Sequence, residues 1–198
     1  IRDDAFETIE YFRNNGVDVK VISGDNPITV AEIAARAGIA NTNRYVSLEG
    51  LTEEEVKEIA FDYTVFGRVN PNQKRALVEA YKAKKKTVAM TGDGVHDILA
   101  LKEADCSIAM ASGSEATRNV ANIVLMESNF NAMPSVVAEG RRVINNIQRT
   151  STLFLVKTIF TILLTIFCMC INEPYFFDPS QLIIIEFFII GFPATAIS

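Results

Sequence analysis

The 198-residue sequence predicts an α/β domain with a doubly wound parallel sheet, followed by an α-helical transmembrane hairpin. Two observations lead to this fold class. Over roughly the first two thirds of the chain, β-branched segments alternate with helical segments of about 8–15 residues, which is the pattern of βαβ units. The C-terminal part instead contains two apolar runs, each about as long as the roughly 17–25 residues that cross a bilayer.

Local signals define the elements of the first half. Residues 4–15 are apolar at helical spacing, and the alternating segment 17–23 predicts a strand. Asn26 is the expected N-cap of the next helix, with Pro27 at its first position. In the helix over 51–60, Thr52 is followed three residues later by a glutamate, the pattern of a capping box.

The second half continues the alternation of strand and helix. The predicted elements are a strand over 63–69, a helix over 71–86, a strand over 86–91, a helix over 94–104, a strand over 106–111, a helix over 114–121 and a strand over 122–126.

Composition excludes several classes of protein. The net charge is −5, and the one short basic run, 82–86, is typical of a solvated helix end, so we expect no nucleic-acid partner. The three cysteines have neither the spacing of a metal site nor the number needed for a disulfide framework.

The two apolar runs predict a membrane protein. Residues 153–171 and 181–198 each contain one charge, Lys157 and Glu186 respectively. Two buried core helices are the alternative, but two such runs joined by an aromatic turn exceed what a small soluble core absorbs. Arginines precede the first run, so the positive-inside rule places residues 1–150 in the cytoplasm.

Two Gly-Asp turns indicate a functional site. Ser23-Gly24-Asp25 and Thr91-Gly92-Asp93 each follow a predicted strand, and doubly wound sheets bind ligands at the carboxyl ends of their strands. Asp93 and Asp97, four residues apart, suit Mg²⁺, which takes one or two carboxylates together with a substrate phosphate. The N–H groups of such a glycine-rich turn suit the phosphate itself.

Two further residues complete the candidate site. Ser23 offers a hydroxyl and a backbone N–H to a phosphoryl oxygen, and Lys74 offers a fixed positive charge if its strand is adjacent. The alternative interpretation is that Asp93 and Asp97 only stabilise a helix N-terminus and that Asp25 caps the helix after it.

Several segments of the sequence resemble those of a known protein family. Four segments resemble the phosphorylation domain and the following transmembrane hairpin of P-type cation-transporting ATPases, in particular the calcium-pump-like group. They are VKVISGDNPITVAEIAARAGI, VFGRVNPNQK, VAMTGDGVHDILALKEADCSIAMASGSEATRNVANIVL and FPATA.

The resemblance implies a haloacid-dehalogenase-like fold and a reaction in which ATP phosphorylates an aspartate with the help of Mg²⁺. Asp93 matches the Mg²⁺-binding aspartate, and Asp97 matches a second aspartate that supports the metal site. Ser23 matches the residue that hydrogen-bonds the phosphoryl group, and Lys74 matches the phosphate-stabilising lysine. The positions near the nucleotide are Gly24, Asp25 and Arg68.

The resemblance also implies a division of the chain and several partners. We expect a partial phosphorylation domain over 1–129, a stalk helix over 130–150, transmembrane helices over 151–172 and 181–198, and an extracytoplasmic turn over 173–180. The setting is a multi-pass protein of a bacterial cell membrane. The phosphorylated aspartate of the Asp-Lys-Thr-Gly-Thr motif does not occur in these 198 residues. The expected partners are therefore the lipid bilayer, the transported cation, and the nucleotide-binding, actuator and other transmembrane segments of the same protein.

His96 departs from the family pattern, because an asparagine that contacts the phosphoryl group is usual at this position. An imidazole retains one hydrogen-bond donor when it is neutral. An altered phosphate contact, an inert substitution, and a new ligand or base are the three interpretations.

The apolar runs depart from it as well. Thr158, Thr161 and Glu186 occupy ion-ligand positions by register, whereas Ile189 and Ile190 replace polar ligands, and Pro193 frees backbone carbonyls. Intramembrane charges are costly and usually functional. Lys157 either extends toward the cytoplasm or pairs with Glu186 as a built-in counter-charge.

ATP-driven cation transport is the leading function. The rivals are a membrane-anchored Mg²⁺-dependent phosphatase of the same fold, a lipid- or peptide-translocating P-type relative, and a purely structural or regulatory module.

Overall fold

The computed structural model of the chain describes residues 5–127 and 130–192. The chain divides into two compact units, Ile1–Pro134 (unit 1) and Ser135–Ser198 (unit 2). Unit 1 is a parallel-sheet α/β domain, and a long apolar helix follows it, as predicted.

The first sheet of unit 1 has three parallel strands in the order β1-β3-β2, namely β1 (Val21–Ile22), β2 (Tyr45–Ser47) and β3 (Val65–Gly67). The central strand β3 is paired on both sides, and its Val65 and Phe66 side chains are buried in the apolar core. Strand β2 was not predicted from the sequence. Its burial pattern explains this, since Tyr45 and Ser47 are exposed and the segment has no continuous apolar face.

Four helices belong to this half of unit 1: α1 (Ala5–Asn14), α2 (Pro27–Arg36), α3 (Glu53–Ile59) and α4 (Pro71–Ala83). The predicted caps are confirmed. The Asn26 side chain accepts the Ile28 N–H at 2.9 Å. Thr52 and Glu55 form a reciprocal capping box, in which the hydrogen bond from the Thr52 N–H lowers the pKa of the Glu55 carboxyl.

The second sheet is also parallel, in the order β4-β5-β6, and consists of β4 (Ala89–Gly92), β5 (Cys106–Met110) and β6 (Ile123–Leu125). A 3₁₀ turn (Val95–Asp97) and helix α5 (Ile98–Glu103) connect β4 to β5. Helix α6 (Glu115–Val120) connects β5 to β6, and Ser114 caps it.

The single sheet expected from the sequence is divided in two across the described residues. Strand β1 is an edge of the first sheet and β4 is an edge of the second. The strands are also shorter than predicted: β1 has two residues within the predicted segment 17–23, and β4 begins at Ala89. Strand length depends on hydrogen-bonded neighbours, which local sequence patterns do not specify.

A buried glutamine organises the core of the first half. Gln73 is 2% exposed, and its side-chain amide donates to the carbonyl oxygens of Leu48 at 2.7 Å and Leu51 at 2.8 Å. Its carbonyl oxygen accepts the Asn70 N–H at 3.0 Å, which caps α4. The loop between β2 and α3 is therefore fixed to α4 by polar contacts inside the apolar core.

Unit 2 is helical in its described residues. Helix α7 (Met133–Ile171) begins at the end of unit 1 and is unbroken at Gly140. By length and composition the apolar part of α7 can cross a membrane. Its apolar stretch has a mean hydropathy of 2.4, and only 6% of that stretch is buried. Helix α8 (Pro179–Glu186) follows and continues as a π-helical turn (Phe187–Gly191). The second predicted span extends into residues 193–198, which lie outside the described residues. Pro193 is one of these residues.

The core position of Gln73 generates a stability prediction. We expect Gln73→Met to lower the free energy of unfolding of unit 1 by about 2–4 kcal/mol, because the Leu51 carbonyl loses its amide donor, the Leu48 carbonyl loses one of its two donors and the Asn70 N–H loses its acceptor. Urea denaturation followed by tyrosine fluorescence measures this, since the chain has no tryptophan. The control is Asn72→Met on the exposed side of α4, which should change stability by less than about 0.5 kcal/mol. Equal effects of the two substitutions would contradict the role of Gln73.

Candidate functional site

The turn after β4 is shaped by a close approach between Gly92 and Asp97. A Cβ atom added at Gly92 would lie 2.6 Å from the Asp97 Cβ, so only glycine fits at the strand end. The chain then passes Asp93 and Gly94 and enters the 3₁₀ turn that ends at Asp97. The glycine thus brings the second aspartate back against the strand that carries the first.

Asp97 is held by two partners and is 8% exposed. Its Oδ1 accepts a hydrogen bond from Lys74 Nζ at 2.6 Å, and its Oδ2 accepts the Gly94 N–H at 3.2 Å. The Lys74 and Asp97 side chains are 13% and 11% exposed, so the pair is largely removed from water. Lys74 belongs to the helix that follows the first sheet, so this ion pair links the two halves of unit 1.

Asp93 has a different environment. It is exposed, and among the described residues its carboxylate has no hydrogen bond or ion pair, whereas its backbone carbonyl accepts the Ser114 N–H at 2.8 Å. The described residues contain no group of three or more metal-ligating side chains. Mg²⁺ keeps several waters and takes phosphate oxygens, so it needs only one or two protein carboxylates. The available carboxylate of Asp93, with Asp97 held nearby in the same turn, therefore suits Mg²⁺ better than a metal whose ligands all come from the protein.

The turn after β1 forms a second small cluster. The Ser23 N–H is paired with the Phe66 carbonyl at 2.9 Å, so the expectation that it would serve a phosphoryl oxygen was wrong: the sheet uses this donor. The Ser23 hydroxyl donates to Asp25 Oδ2 and accepts the Asp25 N–H, both at 3.1 Å. The Asp25 carbonyl accepts the N–H of Arg68, whose φ is +53° and whose side chain is exposed.

The structure therefore brings the predicted residues together in two groups, Lys74 with Asp97 and Ser23 with Asp25. No hydrogen bond or ion pair joins the groups across residues 5–127. Gly24 is exposed beside the Ser23 turn. His96 is exposed in the 3₁₀ turn and has no hydrogen bond or ion pair within the same range. The capping alternative does not apply to Asp25, because Asn26 caps α2.

Sequence reasoning missed two residues that contact the Asp93 turn. Ser114 and Thr117, at the start of α6, bind its backbone carbonyls, and Thr117 is fully buried. The detectable signal was the Ser-x-x-Thr spacing at a helix start, which resembles an ordinary N-cap.

Unit 2 contains an ion pair between its two apolar segments. Lys157 Nζ contacts Glu186 Oε1, as hypothesised for these two charges. The Thr158 hydroxyl donates to the Phe154 carbonyl of its own helix at 2.9 Å, and the Thr161 carbonyl accepts the Thr165 hydroxyl at 2.8 Å. The hydroxyls of Thr158 and Thr165 are therefore each bonded to a carbonyl of the preceding turn of α7, and Thr161 takes part through its carbonyl alone in these two bonds.

Three kinds of comparison relate the chain to known proteins. The family model of haloacid dehalogenase-like hydrolases matches residues 1–105. The chain is 46% identical over 203 residues to the probable cation-transporting ATPase exp7 of Streptococcus pneumoniae, covering 98% of this chain and 26% of that protein. It is 45% identical over 208 residues to the calcium-transporting ATPase CtpE of Mycobacterium bovis, covering all of this chain and 26% of that protein.

Solved structures agree with this relation. The catalytic domain of the CPx-ATPase CopB-B aligns with a TM-score of 0.54 and 25% identity over 69% of this chain and 45% of that one. A zinc-transporting PIB-type ATPase in the E2.Pi state aligns with a TM-score of 0.68 over 85% of this chain and 24% of that one; at 24% identity it shows the fold alone. The chain spans about a quarter of the length of the curated relatives described above. On the family match and these alignments, the chain belongs to the haloacid dehalogenase-like hydrolases and is similar over its whole length to cation-transporting ATPases.

Proposed function

We propose that the protein containing this chain uses ATP hydrolysis to move a cation across a membrane through an aspartyl-phosphate intermediate. One observation carries the proposal: an available carboxylate, Asp93, lies at a strand end beside a buried Lys74–Asp97 pair, in a chain that continues into a long apolar helix. The names of the relatives, probable cation-transporting ATPase and calcium-transporting ATPase, support the same conclusion.

The phosphorylated aspartate comes from a part of the protein outside this sequence. Strands β1 and β4 carry the two Gly-Asp turns, and both are sheet edges in the described residues. A further strand that pairs with these edges would place its own carboxyl end beside both turns. Such a strand is the expected carrier of the Asp-Lys-Thr-Gly-Thr motif.

The residues of this chain then have separate roles at the phosphoryl group. Asp93 holds Mg²⁺, and Asp97 supports the metal site by accepting hydrogen bonds from Lys74 and from the Gly94 N–H. When bound, Mg²⁺ neutralises charge on the phosphoryl oxygens. Lys74 supplies a second positive charge with little reorganisation, because it is already fixed by its pair.

The Ser23 turn serves the phosphoryl group and the nucleotide. The Ser23 hydroxyl can leave Asp25 and donate to a phosphoryl oxygen, because the turn is open to water. The exposed Arg68 side chain and the exposed Gly24 and Asp25 are available to ATP held by the nucleotide-binding segment of the full protein. His96, also exposed, is assigned an altered contact with the phosphoryl group.

The ion pathway includes Glu186, Lys157, Thr158 and Thr161. Burying an unpaired charge in a membrane is costly, so the Lys157–Glu186 pair is the ion-free arrangement, and the arriving cation replaces the lysine at the carboxylate. A membrane-anchored phosphatase needs neither charge, which favours transport over that alternative.

The buried pair generates a double-mutant prediction. We expect Lys74→Met and Asp97→Asn each to lower the free energy of unfolding of unit 1 by about 1–3 kcal/mol, since each leaves an uncompensated partner. The double variant should cost about 1 kcal/mol less than the sum of the single costs. Urea denaturation in detergent measures all three. Strict additivity would show that the pair carries no coupling.

The metal assignment is tested in the full-length protein. We expect Asp93→Asn to reduce Mg²⁺-dependent ATP hydrolysis at least about 100-fold, because the phosphoryl charge is no longer neutralised. Asp62→Asn, an exposed acid on the same unit, should leave the rate unchanged.

Single cations added one at a time identify the transported ion. Stimulation by a lipid instead, or ion-independent hydrolysis of phosphate esters, would favour the two rival functions.

The counter-charge role is tested by two substitutions with opposite effects. We expect Glu186→Gln to reduce ion-stimulated ATP hydrolysis about tenfold or more, because the cation loses its carboxylate. Lys157→Met should lower the ion concentration for half-maximal stimulation about tenfold, because the competing charge is gone. The control is Glu173→Gln, between the two helical segments. Unchanged stimulation in Glu186→Gln would refute the role.

A further inference from the structure

Two residues at the start of α6 donate hydrogen bonds to the backbone of the turn that carries Asp93. The Ser114 N–H donates to the Asp93 carbonyl at 2.8 Å, and the Thr117 hydroxyl donates to the Gly94 carbonyl at 3.0 Å. These two carbonyls belong to consecutive residues. Both peptide groups that follow the Asp93 side chain are therefore fixed by the same short helix.

Thr117 has an unusual hydrogen bond for a helical hydroxyl. Threonine in a helix commonly bonds to a carbonyl of its own preceding turn or to water. Thr117 is fully buried and instead reaches a residue 23 positions earlier in the chain. Its donor is committed there, so the 2.7 Å contact with Ser114 Oγ has the serine as donor, because each hydroxyl carries one proton.

The neighbouring residues restrict the same turn. A Cβ atom at Gly113 would lie 2.7 Å from the Asp93 carbonyl oxygen, so the backbone of Gly113 packs directly against Asp93. Arg118 donates to the carbonyls of Ala111 and Gly113, at 2.8 Å and 2.6 Å, which holds the loop before α6 in place. The backbone of Asp93 is therefore in contact with a loop that has side-chain hydrogen bonds of its own.

Gly94 is the point at which this restraint matters. A glycine has the widest range of backbone conformations, and the Asp93 side chain has no hydrogen bond or ion pair of its own in the described part of the chain. Without an external contact, rotation at Gly94 would change the direction of the carboxylate relative to Asp97. The Gly94 carbonyl accepts two hydrogen bonds, both at 3.0 Å: one from the Asp97 N–H within the turn and one from the Thr117 hydroxyl, which belongs to a separate helix.

We propose that Thr117 is a positioning residue for the Mg²⁺ site, acting through the Gly94 carbonyl on the direction of the Asp93 carboxylate. The inference rests on the proposed function, since it takes Asp93 as the metal ligand. It adds a residue that does not touch the metal or the substrate and that belongs to a separate helix.

The test compares two pairs of variants that differ by the hydroxyl alone. In the first pair, Thr117→Val replaces the hydroxyl of the native threonine by a methyl group of nearly equal volume. In the second pair, both variants lack the methyl group, and Thr117→Ser has the hydroxyl that Thr117→Ala lacks. Mn²⁺ is the probe, and its binding to the full-length protein is measured by electron paramagnetic resonance in the presence of orthovanadate. Melting temperatures are recorded for every variant.

We expect removal of the hydroxyl in either pair to weaken Mn²⁺ binding about 3- to 10-fold, the range for one lost hydrogen bond whose acceptor keeps a second donor, here the Asp97 N–H. Thr117→Ser should keep the Mn²⁺ affinity within about twofold, although loss of the methyl group lowers its melting temperature. A purely structural role would instead make Mn²⁺ affinity follow the melting temperature across the series.

Asp93→Asn distinguishes a failure of the metal assignment at Asp93 from a failure of the positioning role of Thr117. If this substitution leaves Mn²⁺ affinity unchanged, the metal assignment in the proposed function fails, and this inference fails with it. If it abolishes binding while both hydroxyl deletions leave affinity within twofold, the metal assignment stands and the role of Thr117 is overturned. The Ser–Ala pair gives the same decision if Thr117→Val does not fold.

Discussion

The ion pair between Lys74 and Asp97 is the interaction on which the candidate site depends. Lys74 lies on α4, after the first sheet, and Asp97 ends the turn after the second sheet. A charge pair this well removed from water is stable only while both partners are present. Gly92 leaves the space that Asp97 occupies, and Gly94 gives it a second donor. The position of the Asp93 turn is therefore determined jointly by both halves of unit 1.

The features that could be predicted from the sequence are the local ones. The caps at Asn26 and Thr52 and the two Gly-Asp turns depend on residues within a few positions of each other, so their patterns are visible in the chain. The division into two sheets and the brevity of β1 depend on partners far away in sequence. The same is true of the Ser23 N–H, which the sheet uses, and of Thr117, whose partner is 23 residues away.

The apolar segments illustrate a different limit. The Lys157–Glu186 contact was foreseeable because these are the single charges of two apolar runs, and each needs a partner. The identity of a transported ion was not, because ion sites draw ligands from several helices and this chain supplies few of them. The hydroxyl of Thr158, foreseen as a ligand, bonds instead to its own helix. A threonine hydroxyl in a helix can bond to a carbonyl of the preceding turn, and the register of the sequence does not reveal this choice.

The edge strands β1 and β4 have a practical consequence for handling unit 1. An unpaired strand edge is a template for another strand, and natural proteins cover or interrupt such edges to prevent self-association. Each of its two three-stranded sheets has two edge strands, and β1 and β4 are the edges that carry the Gly-Asp turns, so unit 1 prepared by itself offers these two edges, among others, for intermolecular pairing. Its solubility therefore depends on concentration and on whether a complementary strand is co-expressed or added as a peptide.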